Sequence, residues 1–208
     1  MQHMAVFTGD IVRSTDMGTD ELQRMFAALE VQSDMIGHWP ESSSIFQRFR
    51  GDGWQMSLPA RYALRAAAVM RATARATGKG HDTRIGIGVG LGTVKGNDLA
   101  AADGPVFVQS GHALDRMKRS PLMTAPAADD LLRIALPPID RIVQGWTAKQ
   151  AQIAAVLLSP DAPTHDTLAA RLGQTRQLVQ KQAESAGLSA LLESFEIIEQ
   201  SCASTQQS

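Results

Sequence analysis

Residues 44–58, SIFQRFRGDGWQMSL, contain a glycine–aspartate–glycine turn between two short stretches rich in apolar residues. Asp-Gly is one of the strongest short signals for a β-hairpin, because both residues can adopt the positive φ of a tight turn at low cost. We therefore predict two antiparallel strands, SIFQRF and WQMSL, with Asp52 at the tip. Turn chemistry alone accounts for this acid. A second acid far upstream raises the question of a chemical role.

The segments around this hairpin predict one sheet covered by helices. Residues 4–11, MAVFTGDI, have the apolar character of a buried strand that ends in Asp10. Further strands are predicted over residues 83–94 and 121–125, and helices over residues 20–39 (with Thr19 as cap), 60–77, 106–118 and 127–136. This order of elements predicts an α+β fold with helices over one mostly antiparallel sheet.

The sequence changes character after Pro137-Pro138. No strand pattern follows, and helices are predicted near residues 139–145, 148–158, 164–172, 175–186 and 188–200. We therefore place a domain boundary at the proline pair. The predicted organisation is an α+β domain over residues 1–137, a small all-α domain over 138–202 and a disordered polar tail over 203–208.

Composition excludes several classes of function. The 208 residues are 44% hydrophobic and 20% charged, with a formal net charge of −1, so no global basic field attracts nucleic acid or membranes. We expect a cytoplasmic protein without membrane contact, because neither a signal peptide nor a long apolar run is recognisable. The single cysteine, Cys202, excludes a disulfide framework and a CxxC site.

Glycines alternate with branched apolar residues over residues 85–92, IGIGVGLG. The spacing does not fit a dinucleotide-binding loop, which needs glycine offsets of two and then three. Glycines on one face of a strand indicate a close approach to its backbone. A closely packed helix is the favoured explanation, and a ligand at that face is the alternative.

The two acids can cooperate if the hairpin pairs beside the first strand, because Asp10 and Asp52 then meet at one edge of the sheet. Two adjacent carboxylates repel each other unless a proton or a cation lies between them. Magnesium suits such a pair, since one or two carboxylates usually hold it while substrate phosphates complete its octahedron. Metals held in this way can assist an in-line displacement at phosphorus.

Three motifs resemble those of class III adenylate/guanylate cyclases, in the same order and at similar spacing. They are FTGDIVRST (7–15), RFRGDGWQM (48–56) and TRIGIGVGLGTVKG (83–96). The resemblance covers residues 4–120 and implies a ferredoxin-like, cyclase-type sheet. It also implies a nucleoside triphosphate and Mg²⁺ or Mn²⁺ as ligands. The RGD hairpin and the helical extension are similar to those of SatD-like bacterial proteins.

The resemblance assigns roles position by position. Asp10 and Asp52 become the metal ligands, with the Ile11 carbonyl assisting, and the turn that includes Ser14 and Thr15 receives phosphates. The remaining positions match less well. Arg48 stands where cyclases have a base-recognising Lys, and Asp103 contacts the purine only if an insertion is allowed. Arg116 is the candidate transition-state Arg, and His112 stands at the position of the cyclase Asn. Arg116 can equally belong to a solvated helix face. These departures predict weak or absent turnover.

Residues 164–187, THDTLAARLGQTRQLVQKQAESAG, resemble the helix-turn-helix of small bacterial regulators. We predict that the two helices pack through Leu168, Leu172, Leu178 and Val179. The predicted DNA-contacting residues are Arg171, Arg176, Gln177, Gln180 and Lys181, which suit phosphates and base edges. A purely structural helical hairpin is the alternative. The amphipathic segment 189–200 can cover this domain or dimerise.

These observations predict a nucleotide-responsive regulator with weak or no cyclase activity that acts as a homodimer on DNA. One alternative is an active Mg²⁺- or Mn²⁺-dependent nucleotidyl cyclase whose helical tail only dimerises. A second is a non-catalytic scaffold in which neither site binds a ligand.

Overall fold

A computed structural model describes residues 1–49, 51–118 and 120–205, with side chains as far as Cys202. Arg50 of the hairpin motif and the end of the predicted disordered tail, residues 206–208, lie outside the described residues. The strands are β1 (Gln2–Ile11), β2 (Ile45–Arg48), β3 (Gly53–Pro59), β4 (Thr83–Lys95), β5 (Asp98–Asp103) and β6 (Met123–Thr124). The helices are α1 (Thr19–Gly37), α2 (Ala63–Ala76), α3 (Pro105–Asp115), α4 (Asp130–Gln144), α5 (Ala148–Leu157), α6 (His165–Leu172), α7 (Arg176–Ser185) and α8 (Leu188–Thr205).

The sheet has the order β2-β3-β1-β4-β5, and neighbouring strands on this path are antiparallel. The short strand β6 pairs with β4 in parallel. β1 is central, as expected for a strand that is apolar on both faces. The predicted α+β class with a mostly antiparallel sheet is therefore confirmed.

Helices pack on both faces of this sheet. Ala5 and Phe7 of β1 and Ile85 and Ile87 of β4 belong to the large core that α1 and α2 share. The opposite face of β1 carries Met4 and Val6, which pack against Val106 of α3. These alternating faces follow from the two-residue period of a strand.

The glycine face of β4 receives α3. A Cβ at Gly86 would overlap the backbone of α3 at Ser110 and Leu114, and one at Gly88 would overlap the Val106 carbonyl. The packed-helix explanation of the glycine strand is therefore confirmed. At these positions glycine permits a backbone-to-backbone approach that a side chain would block.

Three local predictions are wrong. β5, with the sequence DLAAAD, was not predicted because it lacks an alternating apolar pattern. The cap of α1 is Gly18 rather than Thr19, which is the first helical residue and accepts no capping hydrogen bond. The helices predicted on either side of Pro137-Pro138 are one helix, α4, which passes through the proline pair.

The continuity of α4 follows from its buried face. Leu132, Leu136, Ile139 and Val143 are buried at helical spacing on both sides of the prolines. Burying this stripe offsets the cost of proline inside a helix, which is about 3 kcal/mol. Tertiary packing therefore overrides the local signal to stop.

The later helices pack onto the α/β part of the chain. α5 lies against α2, and Arg65 of α2 forms an ion pair with Glu199 of α8 (Nε–Oε1, 2.6 Å). The core is continuous between the two parts. The division into residues 1–137 and 138–202 stays a prediction.

Candidate functional site

Asp10 lies at the end of the central strand, opposite Gly53 of β3 and Arg84 of β4. Arg84 binds both oxygens of its carboxylate: Nε donates to Oδ1 at 2.7 Å, and Nη2 donates to Oδ2. The third guanidinium nitrogen, Nη1, is 3.4 Å from the Met117 carbonyl at the end of α3. The charge of Asp10 is thus balanced within the chain by one cation.

Asp52 lies in the turn of the β2–β3 hairpin, after Gly51 with its positive φ of 80°. Its backbone carbonyl accepts a hydrogen bond from the Ile11 N–H at 3.2 Å, and its Oδ2 accepts one from the Ser14 hydroxyl. Asp52 therefore lies at the same end of the sheet as Asp10, in the turn that joins the neighbouring strands β2 and β3. The structure brings the two acids to one edge, and their metal-binding role stays a prediction.

Arg84 was not predicted as a site residue. The hydrogen bonds to Asp10 raise the pKa of the Arg84 guanidinium above its ordinary value, against the effect of burial. The negative charges of Asp10 and Asp52 also raise this pKa, so Arg84 lies in the field of both acids. The antiparallel register of β1 and β4, which pairs position 10 with position 84, is the signal that could have identified it.

The turn after β1 connects the two acids to α1. Arg13 adopts a left-handed backbone with φ 55°, and residues Ser14–Asp16 form a single 3₁₀ turn. The Val12 N–H donates to the Asp82 carbonyl at 3.0 Å. The first N–H groups of a helical turn have no partner within it, so those of Ser14 and Thr15 can face an anion. The proposed phosphate contacts of Ser14 and Thr15 and the role of the Ile11 carbonyl stay predictions.

Arg48 has partners that explain its position without a ligand. Its guanidinium lies 3.9 Å from the centre of the Phe26 ring of α1, and Nη2 donates to the Gly51 carbonyl at 3.3 Å. These contacts hold the side chain between α1 and the hairpin. Its predicted contact with a nucleotide base stays a prediction.

Of the candidate residues around α3, Asp103 precedes the helix, whereas His112 and Arg116 lie in its last turn and at its C-cap. Arg116 is the C-cap of α3, and its N–H donates to the His112 carbonyl at 3.2 Å. Both side chains are exposed. Asp103 ends β5 and accepts the Gly104 N–H at 2.8 Å, which is a turn contact. Arg116 directly precedes Met117, whose carbonyl lies 3.4 Å from Nη1 of Arg84.

The donor set at this edge fits a divalent cation only in part. Among the residues whose structure is described, no three His, Cys, Asp or Glu side chains come together as a metal-binding group. Two carboxylates suit Mg²⁺ or Mn²⁺ when phosphate oxygens and water complete the coordination shell. Asp10 and Asp52 would hold the metal, and phosphate oxygens of a bound nucleotide together with water would supply the other oxygens.

The second candidate site is the pair of helices α6 and α7. Gly173 has a left-handed backbone and ends α6, and Thr175 caps α7 by accepting the Leu178 N–H. The five side chains predicted to contact DNA are all exposed: Arg171, Arg176, Gln177, Gln180 and Lys181. Their DNA-binding role stays a prediction.

Two details of this helical pair differ from the prediction. Leu178, expected to pack between the helices, is 41% exposed, whereas Leu168 and Val179 are buried as predicted. Asp166 Oδ2 lies 3.5 Å from Arg176 Nε and pairs with it, so one of the three cations among the predicted DNA-contacting residues is partly neutralised. The sequence from Thr167 to Ala183 contains no acid. Asp166 lies just before this segment, and only the fold brings it to position 176.

The last helix, α8, packs against part of the helical region. Leu191, Phe195 and Ile198 of α8 are buried, and α8 contacts α4, α7 and the turn before α2. The amphipathic segment 189–200 is predicted to cover the helical domain or to dimerise, and the structure shows it covering neighbouring helices.

The sequence matches no known protein family and no curated protein. Twelve chains of solved structures resemble the fold, including the following two. One is a bacterial light-regulated adenylyl cyclase, 14% identical, covering 58% of this chain and 73% of that chain with a TM-score of 0.42. The other is the catalytic core of a rhodopsin–guanylyl cyclase with converted specificity in complex with ATPαS, 20% identical, covering 56% and 73% with a TM-score of 0.42. At these identities, function has to be argued from the site residues.

Within the described ranges, no helix has both the length and the apolar character needed to cross a membrane.

Proposed function

We propose that the protein binds a nucleoside triphosphate with Mg²⁺ or Mn²⁺ at the edge formed by Asp10 and Asp52. It acts as a nucleotide-responsive regulator with weak or no cyclase activity. The observation that carries the proposal is the position of the two acids. Asp10 lies near the end of β1 and Asp52 lies in the turn between β2 and β3, and both are beside the turn of residues 12–16. The metal would neutralise charge on the phosphates, and the turn would offer N–H donors to them.

We expect weak turnover because of the residues at the positions assigned to the transition state and to the nucleotide base. Cyclisation requires a charged donor at the phosphoryl group in the transition state, and removal of one such contact typically costs about 10²–10³ in rate. Arg116 is exposed at the end of α3, and His112, at the Asn position, is exposed one turn earlier. Arg48 is held by Phe26 and Gly51. We therefore propose nucleotide binding with weak or no turnover.

The regulatory part of the proposal rests on α6 and α7. Two short capped helices joined by a left-handed glycine expose three cations, Arg171 on α6 and Arg176 and Lys181 on α7. Three cations per chain bind DNA weakly, so a homodimer on two half-sites is needed for useful affinity.

Calorimetric titration of Mn²⁺, with and without ATP or GTP, tests the nucleotide site. We expect the nucleotide to increase Mn²⁺ affinity, because its phosphates complete the coordination shell. Asp52→Asn should abolish this increase, and Asp161→Asn, at an exposed loop position, should leave it intact. Equal coupling in all three proteins would refute the proposal. Mass spectrometry of the same mixtures should show little cyclic nucleotide, and abundant product lost in Arg116→Ala would establish an active cyclase instead.

A further inference from the structure

We propose that the outer face of α4 pairs with the same face of a second copy of the chain, so that two α4 helices lie antiparallel across a two-fold axis. It is a step beyond the proposed function, which requires a homodimer but assigns no surface to it. The evidence lies in α4 alone and involves neither candidate site.

α4 exposes three large apolar side chains, more than any other helix or strand among the described residues. Leu131 is 41% exposed, Ile134 is 73% exposed and Ile142 is 38% exposed. Together with the exposed Pro138, they follow one another at intervals of three and four residues, which is the spacing of one helical face. We call these four residues the outer stripe. A contiguous exposed apolar surface of this kind is typical of a site that another chain covers.

The outer stripe is distinct from the face by which α4 enters the core. The core face carries Leu132, Leu136, Ile139 and Val143, and α4 contacts α2, β6 and α8. The two sets of positions lie side by side around the helix, so the apolar surface of α4 is wider than the part that its own chain covers. Packing within the chain therefore explains the core face and leaves the outer stripe in contact with solvent.

The outer stripe is complementary to itself when two copies are antiparallel. Leu131 and Ile142 are eleven residues apart, which is about three helical turns, so they lie on the same side of α4 at opposite ends. In an antiparallel pair, Leu131 of each copy meets Ile142 of the other. Ile134 and Pro138 meet in the same way nearer the centre. A two-fold interface requires this match, because one surface has to fit its own copy.

The charges beside the outer stripe favour the antiparallel arrangement. Asp130 and Arg141 are also eleven residues apart, so they flank the same side of the stripe at opposite ends. Both are exposed, and the ion pair of Asp130 within the chain, with Arg133, is a surface pair of small energetic weight. Antiparallel pairing places Asp130 of each copy beside Arg141 of the other, whereas parallel pairing leaves these charges at opposite ends of the interface.

Sedimentation velocity of the full chain over a range of concentrations tests this pairing without nucleotide or DNA. We expect the wild type to dimerise reversibly. Ile134→Asp should weaken dimerisation by about tenfold or more, because the two-fold axis places the new charge in the interface twice. Val31→Asp, the same kind of change at a 62% exposed position of α1, is the matched control and should dimerise like the wild type. Thermal unfolding of each protein checks that the variants are folded.

A charge reversal tests the antiparallel register. Arg141→Asp should weaken dimerisation by about tenfold, because Asp130 of each copy then faces an acid. Addition of Asp130→Lys to the same chain should restore the affinity to within about threefold of the wild type, since opposite charges meet again. A role of Arg141 confined to its own helix would not be rescued in this way.

The outcomes separate this pairing from the proposed function. A wild type that stays monomeric at about 100 µM would refute the pairing. A dimer that Ile134→Asp weakens no more than Val31→Asp would also refute it, because another surface would then hold the copies together. Dissociation by Ile134→Asp without rescue of Arg141→Asp by Asp130→Lys would refute the antiparallel arrangement. If the wild type dimerises through α4 but binds neither nucleotide nor DNA, the pairing stands and the proposed function fails.

Discussion

Trp54 and Thr83 support the backbone of Asp10 through a chain of hydrogen bonds. The fully buried Trp54 donates from Nε1 to Thr83 Oγ1 at 2.9 Å, and the Thr83 hydroxyl donates to the Asp10 carbonyl at 2.6 Å. A Cβ at Gly9 would overlap the indole ring, so glycine lets Trp54 lie against β1. The tryptophan of the GDGW sequence therefore has a structural role beside the acid.

A double-mutant cycle measures this support. Trp54→Phe and Thr83→Val should each reduce the free energy of unfolding by about 1–3 kcal/mol, because each leaves a buried polar group unpaired or removes packing. The loss in the free energy of unfolding of the double variant should be smaller than the sum of the two single losses by about 0.5–1.5 kcal/mol, since both substitutions remove the same hydrogen bond. Urea unfolding provides the values. Strictly additive effects would show that the bond contributes no coupling.

At the scale of elements, the approach of α3 to β4 positions the strand that carries Arg84. The helix backbone meets the strand at Gly86 and Gly88, and the hydroxyl groups of Thr8 and Ser110 share a hydrogen bond at 2.8 Å beside them. The end of α3 then reaches Arg84 through the Met117 carbonyl. Close helix packing thus fixes one side of the candidate site.

Two glycine substitutions, one in β4 and one in α3, should change the free energy of unfolding in opposite directions. Gly88→Ala should lower the free energy of unfolding by about 1–3 kcal/mol, because the new methyl group overlaps the Val106 carbonyl and must displace α3. Gly111→Ala, in α3 with no atom near the added Cβ, should stabilise the protein by about 0.5–1 kcal/mol through helix propensity. Thermal or urea unfolding measures both. A stabilising Gly88→Ala would contradict the tight contact.

At the scale of the whole molecule, two arginines of α2, the buried Arg71 and the half-buried Arg75, connect the candidate site with the later helices. Arg71 bridges Asp82 and Asp140, and Arg75 binds Asp82 and the backbone at the end of α4. Asp82 in turn holds the Val12 N–H of the turn beside Asp10. The indole N–H of Trp146 then donates to the Ala186 carbonyl after α7, at 2.9 Å. A continuous set of contacts therefore joins the two candidate sites.

Salt titration of binding to genomic DNA fragments tests the second site. Three phosphate contacts per protomer predict a log–log salt slope of about −2.7, and Lys181→Ala should reduce its magnitude by about 0.9. Asp166→Asn should increase affinity, because it releases Arg176 from its ion pair. Lys149→Ala, at an exposed position of α5, is the control. Absence of binding at low salt, or equal slopes for wild type and Lys181→Ala, would leave α6 and α7 as a structural hairpin.

The sequence by itself determined the features that depend on neighbouring residues. These are the hairpin turn at Gly51-Asp52, the buried strand ending in Asp10, the glycine face of β4 and the order of most helices. Turn chemistry and apolar periodicity are local properties, so they can be recognised without the fold.

Only the tertiary structure decided the features that depend on contacts between distant residues. Arg84 is 74 positions from Asp10 and reaches it through strand register, and the buried face of α4 keeps one helix intact through two prolines. Asp166 reaches Arg176 only because Gly173 turns α7 back toward α6. The physical reason is that charge pairing and burial depend on which elements pack together, and local sequence patterns do not specify that packing.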